Sequence, residues 1–279
     1  IVENTKDENT DFLSDVINQS DDKNTGEVIE KIINTQNNLV EGVVENLSDK
    51  ANKFLTTTTS EGAILIKEKI FETIVSKETK KTAEILSKVM AKSDDVTVSS
   101  VINNITEKNI NTNSKLSLNV MADFSEKSPE KLKDLTQANK VKIGSLTKIA
   151  VQNADASKED ADLIAKIVSA SSSKVVNNIM IEVSKSSTDD KKNLSAHVLN
   201  AIVDNNPDKI NIIIDDVKDI IFSQTIESAQ NQLEGNSTAT EDITNSIAKI
   251  ITKSDNKTGA KFLEKLEDVF HIEQKNFQI

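Results

Sequence analysis

Cysteine, tryptophan, tyrosine and arginine are all missing from this chain of 279 residues. Without cysteine there are no disulfides, no thiolate chemistry and no thiolate-bound metals. Without arginine there is no bidentate fork for phosphate or carboxylate recognition. Without tryptophan and tyrosine the usual interface anchors and base-stacking platforms are gone. Only six glycines and two prolines are present, and none forms a phosphate-cradling loop. All 34 basic residues are lysine, and the net charge is −11 with a pI near 4.9. That balance argues against nucleic acid as a partner. No apolar run approaches a membrane span, because the densest stretch, Ile210 to Ile221, is interrupted by Asn and Asp. No membrane insertion and no signal peptide are expected. The chain opens on Ile1, which reads as a processed protein or a piece of a longer one.

What the chain does contain is repetition. Phe12-Leu13-Ser14-Asp15-Val16-Ile17 returns as Ile85-Leu86-Ser87-Lys88-Val89-Met90. It returns again as Leu163-Ile164-Ala165-Lys166-Ile167-Val168 and as Ser246-Ile247-Ala248-Lys249-Ile250-Ile251, with starts 73, 78 and 83 residues apart. A second phrase follows each copy at Val28, Val101, Val175 and Phe262, separated from the first by 16, 16, 12 and 16 residues. A third is the most regular. Leu39, Val43, Val44 and Leu47 recur as Leu116, Val120, Met121 and Phe124, then as Leu194, Val198, Leu199 and Ile202. That spacing lines one face of an α-helix and no face of a strand. A long internal period means that one structural unit is stacked on itself.

Helix starts are marked independently. Pro129 and Pro207 are 78 residues apart, each after a capping residue, Ser128 or Asn206, as suits the first helical position. Ser157 and Asp160 form a capping-box pair, and Thr240, Glu241 and Asp242 place acid where a helix dipole favours it. No alternating strand pattern occurs. The fold expected is all-α, an α-solenoid of stacked helix hairpins with a super-repeat of 77 to 78 residues in its most regular phrase. The approximate units are 1–77, 78–154, 155–236 and 237–279, the last incomplete, in a single array. Four helices per unit fit best, with a five-helix unit as the alternative. The first copy of the fourth helix is interrupted by a loop at Thr56 to Gly62, whereas no residue breaks the pattern between Pro207 and Gly235, so the last segment reads as either one long helix or two short ones. There Ile210, Ile213, Ile214, Val217, Ile220 and Ile221 read as one apolar face. The hairpin plan resembles HEAT-type repeats in architecture alone.

Few residues offer chemistry. His197 and His271 are the only histidines, and neither has a metal-ligating partner at helical spacing. His197 stands where the other copies carry Gly42 and Asn119. The acid pairs at Asp21, Asp94, Asp189 and Asp215 read as solvated turns or helix caps. Ser20 to Gly26 and its echo Ser254 to Gly259 fail the calcium-loop pattern, since Lys23 and Ile32 occupy ligand positions. No nucleophile elbow occurs. No catalytic residue, metal site or cofactor is expected, and the protein reads as non-enzymatic.

The expected role is a structural or scaffolding segment of a long repetitive protein, part of an extracellular filament, sheath or surface layer. Phe262, Leu263, Leu266, Val269, Phe270 and Phe277 crowd the C-terminal end and are the candidates for packing or assembly. Partners would be further repeats, other copies of the chain, or other proteins. The lysine, asparagine and isoleucine content suits an AT-rich microbial genome and a secreted or cell-surface protein. The alternative is a soluble intracellular solenoid that holds a peptide or protein in its concave groove.

Overall fold

The computed structural model describes residues 10–50, 52–57, 61–109, 114–138, 142–188, 191, 193–235 and 240–276. These residues are all-α, with seventeen α-helices and no strand among them. The chain divides into two compact units, residues 1–150 and 151–279. The first holds α1 (Thr10–Gln19), α2 (Asp22–Thr35), α3 (Val40–Asp49), α4 (Lys53–Thr56), α5 (Glu61–Val75) and α6 (Lys80–Lys92). It continues through α7 (Asp95–Asn109), α8 (Leu116–Lys127) and α9 (Pro129–Ala138), and the division falls within the last turn of α10 (Ile143–Gln152). The second holds α11 (Lys158–Ala170), α12 (Ser173–Ser186), α13 (Leu194–Asn205) and α14 (Asp208–Asn211). It ends with α15 (Asp215–Gly235), α16 (Thr240–Lys253) and α17 (Asn256–Asn276).

Within each unit, alternate helices pack side by side. In the first, α1 lies on α3, α3 on α6 and α6 on α8, while α2 lies on α5 and α5 on α7. In the second, α11 lies on α13 and α13 on α16, while α12 lies on α15 and α15 on α17. Each unit therefore has two layers of helices with the core between them. The third sequence phrase supplies that core three times over. All twelve of its residues, from Leu39 to Ile202, are at most 2% exposed. Burial of such side chains contributes roughly 1.5–3 kcal/mol each. In the second unit Phe222 and Phe262 meet edge to face, with ring centroids 4.8 Å apart.

Two of the four acid pairs supply helix caps, and Asp255 in the second calcium-like echo does the same. Asp21 accepts from Asn24 N at 2.8 Å, Asp94 from Thr97 N at 2.8 Å and Asp255 from Thr258 N at 2.7 Å. The two calcium-like echoes are thus the starts of α2 and α17. Asp189 and Asp190 lie outside the described residues. Ser157 caps α11 as expected, accepting from Asp160 N at 3.1 Å. The return half of the box is different: the Asp160 carboxylate accepts from Asp155 N at 2.6 Å.

The structure decides between the two readings of the last segment. The stretch from Pro207 to Gly235 is broken at Ile212–Ile214, between α14 and α15. Ile210, Ile213, Val217 and Ile221 are buried, but Ile214 and Ile220 are 48% and 49% exposed. The break is held from outside the segment. Asn177 on α12 donates Nδ2 to Ile212 O at 3.2 Å and accepts from Ile214 N at 2.8 Å. Its amide thereby replaces the helical partners that the two backbone groups lose. The loop expected at Thr56 to Gly62 is also shorter, since Thr56 ends α4 and Glu61 begins α5.

Candidate functional site

The first layer of each unit is stitched across its outer face by lysine. In the first unit Lys50 pairs with Asp15 at 2.5 Å, Lys81 with Glu45 at 3.0 Å and Lys88 with Asp49 at 3.4 Å. Burial works against the Lys88 charge, but Asp49, Glu45 and Glu84 outweigh it and hold its pKa above the ordinary lysine value. Lysines also cap helix C-termini, where carbonyls lack partners. Lys92 donates to Ser48 O at 2.7 Å, Lys209 to Ser171 O at 2.7 Å, and Lys131 to Met90 O at 2.7 Å and to Ser93 O.

In the second unit the same stitching joins α13 to α16, where Asp204 meets Lys249 at 3.1 Å and Lys253 at 3.6 Å. Between α11 and α13 it stops. Lys158 and Asp162 on α11 make neither an ion pair nor a hydrogen bond among the described residues. Here a cavity of 520 Å³ opens across α11, α13 and α16. His197, Asn200 and Asp204 line its α13 wall, one helical stripe at i, i+3 and i+7. The Asn200 Oδ1 is shut off from solvent and has no hydrogen-bond partner. His197 is half-buried. Burial, together with the nearby Lys158 charge, holds its imidazole below the ordinary histidine value. A smaller cavity of 70 Å³ adjoins it, sharing His197 and Asn200 and reaching Thr225 and Ala229 on α15.

A second groove lies in the first unit between α5 and α7, with a volume of 550 Å³. Glu68, Glu72 and Glu107 give it an acidic wall. Among the described residues no group of three or more His, Asp or Glu side chains is placed to hold a metal ion.

The residues singled out for assembly are split by the structure. Phe262 is fully buried against Phe222. Leu263, the next residue of α17, is 41% exposed, and Leu266 is half-buried. The side chains of Val269, Phe270 and His271, and all of Phe277, lie outside the described residues. Sequence reasoning missed Lys158, Asp162 and Asn200. Their helical spacing is visible within α11 and within α13, but nothing in the sequence pairs the two helices.

Among the described residues no helix is long and apolar enough to cross a membrane. No family model matches the chain, and no curated protein matches it. A solved structure described as "Computational Design of Self-Assembling Cyclic Protein Homooligomers" is similar to it at 14% identity, covering 94% of this chain and 93% of that one. The TM-score is 0.24, too low to bear on the fold.

Proposed function

We propose that the chain is a non-enzymatic scaffolding segment of a longer repetitive protein, an α-solenoid of stacked hairpins with a super-repeat of 77 to 78 residues. One observation carries this reading. The third phrase recurs three times in sequence, and each time all four of its side chains are buried. What is repeated is a packing surface, and stacking is how such hairpins bury their stripes. The polar residues fit the same picture, since lysines and acids cap helices or bridge neighbours within each unit. The four approximate units, 1–77, 78–154, 155–236 and 237–279, belong to this proposal. So does assembly into a filament, sheath or surface layer outside the cell, which the cysteine-free composition suits.

The test is electron microscopy of the purified chain with light scattering across a concentration series. Ordered polymers that Leu263→Ser and Leu266→Ser disperse support assembly through the α17 end. A monomer at every concentration sinks it.

A second reading has its own support in the cavity around His197. There the chain would hold a peptide or protein in a groove of its first layer. Peptide array screening with the full chain separates this from pure scaffolding: a reproducible set of bound sequences supports it, and uniform silence removes it.

A further inference from the structure

We propose that the open face of α17, at Leu263 and Leu266, is a docking seat for an amphipathic helix of the third-phrase type, supplied by a further repeat of the same repetitive protein. The proposal rests on the scaffolding reading above and gives that scaffold the chemistry of its next neighbour. It starts from a mismatch in the sequence. The first and second phrases occur four times each, the third only three times. In the three complete copies the third-phrase helix packs on both of its forerunners. α3 lies on α1 and α2, α8 on α6 and α7, and α13 on α11 and α12. The fourth copy has α16 and α17, and among the described residues no third-phrase helix follows them. Matching positions show the consequence. The second residue of the second phrase is Ile29, Ile102 or Val176 in the complete copies, at most 3% exposed; in the fourth it is Leu263, 41% exposed. The fifth is Ile32, Ile105 or Ile179, at most 2% exposed, and becomes Leu266, half-buried. On the first-phrase helix Ile17, Met90 and Val168 are fully buried, and Ile251 is half-buried. The helix itself is built like its counterparts. Asp255 caps α17 as Asp21 caps α2 and Asp94 caps α7, and Leu263 lies eight residues past that cap, as Ile29 and Ile102 do. What differs is the neighbour.

The occupant follows from what fills this place elsewhere in the molecule. A single exposed leucine is ordinary. Here three apolar residues on two adjacent helices, α16 and α17, lose cover together, at positions that every other copy keeps dry. In those copies the third helix brings a stripe at i, i+4, i+5 and i+8, and its four side chains are at most 2% exposed each time. A helix with that stripe lays one apolar ridge along the pair formed by its two forerunners. A strand presents alternate residues and matches no such stripe. A second complete copy fits less well, because the stripes of its own α3, α8 and α13 are already buried. The helix that closes this face therefore comes from a repeat whose third phrase has no other seat.

The experiment is a nuclear magnetic resonance titration of the ¹⁵N-labelled full chain with a blocked peptide of residues 115–128. The peptide carries the stripe Leu116, Val120, Met121 and Phe124. A free helix this short is marginal in water, so a lactam joins Asp123 to Lys127, which lie 3.7 Å apart on α8 and stay partly exposed there. The same peptide with Val120→Ser and Phe124→Ser is run alongside. The expected result is saturable shifts at the amides of Ile251, Leu263 and Leu266 with the first peptide and none with the second. Leu263→Ser in the chain, at an exposed position, should weaken binding at least tenfold with unchanged far-ultraviolet circular dichroism. Saturable shifts centred on another surface, or no saturable shift, overturn the seat. A silent peptide together with polymers that Leu263→Ser disperses makes the face a contact between copies: the assembly reading stands and this occupant is overturned. Peptide binding by a chain that stays monomeric supports the seat and removes self-assembly through α17.

Discussion

Lys218 Nζ lies 3.3 Å from Thr258 Oγ1, in a place where almost no water reaches: the two residues are 4% and 1% exposed. The same ammonium donates to Asn211 O at 3.0 Å, so it ties the end of α14 to the first turn of α17. Lys67 does the same in the first unit. It donates to Thr57 O at 2.6 Å and to Thr97 Oγ1 at 3.3 Å, joining the end of α4 to the first turn of α7. A buried ammonium at each helix break thus stands in for the N–H groups that an unbroken helix would have supplied. Lys218→Met removes the donor from both acceptors. It also removes the desolvation cost of the charge, which depresses the Lys218 pKa. The net loss should be about 1 kcal/mol, the low end of the penalty for unpaired buried groups, read from urea unfolding.

His197 gives the second unit an acid limit. Its folded pKa lies below the ordinary value, chiefly through burial and then through Lys158. Lys158 and Asp162 on α11, Asp204 on α13 and Lys249 on α16 line the same cavity. The unfolded chain takes up the proton first, at pH ~6.5, so stability is complete above that pH and falls as pH drops toward the folded pKa. His197→Asn should remove this part of the acid loss. Chemical denaturation between pH ~7.5 and ~5, above most carboxylate titration, would show it as a flatter profile than wild type.

Two glycines should respond in opposite directions to the same substitution. A Cβ on Gly259 would sit 2.8 Å from Ile251 O, a backbone atom that cannot step aside. Gly259→Ala should therefore push α16 from α17 and cost about 1–3 kcal/mol. A Cβ on Gly144, inside α10, meets nothing within 4 Å. Gly144→Ala should stabilise by roughly 0.5–1 kcal/mol, the helical preference of alanine over glycine. Thermal melts of the two variants check both signs.

Phe262 and Leu263 are neighbours with opposite duties. Phe262→Ala removes a ring packed on Phe222 and should cost about 3–5 kcal/mol in unfolding experiments. Leu263→Ser alters an exposed position and should change stability by less than ~0.5 kcal/mol. Any effect of Leu263→Ser on scattering at high concentration then reports association rather than unfolding.

Much of the fold was legible in the sequence because its signal is local. The stripes of α3, α8 and α13 can be read from one helix at a time, since the residues that pack are spaced i, i+4, i+5 and i+8. The caps at Asp21, Asp94 and Asp255 are also local, because donor and acceptor are three residues apart. The break at Ile212–Ile214 was hidden for the opposite reason. Three isoleucines in a row carry no stop signal, and the group that holds the break open is Asn177, 35 residues upstream of Ile212. The cavity at His197 was hidden in the same way. Asp162 looks like any surface acid until α13 is laid beside it and is found to carry no lysine.

The layering within each unit also bears on how such a chain can grow. Each helix of a layer meets mainly the helix before it and the helix after it. Duplicating a hairpin therefore changes the number of contacts without inventing a new kind. Gain or loss of a whole hairpin that keeps this apolar stripe would lengthen or shorten the chain and still let it close its core. Length variation among relatives of this protein should accordingly appear as steps of roughly one hairpin rather than as scattered substitutions at the buried stripes.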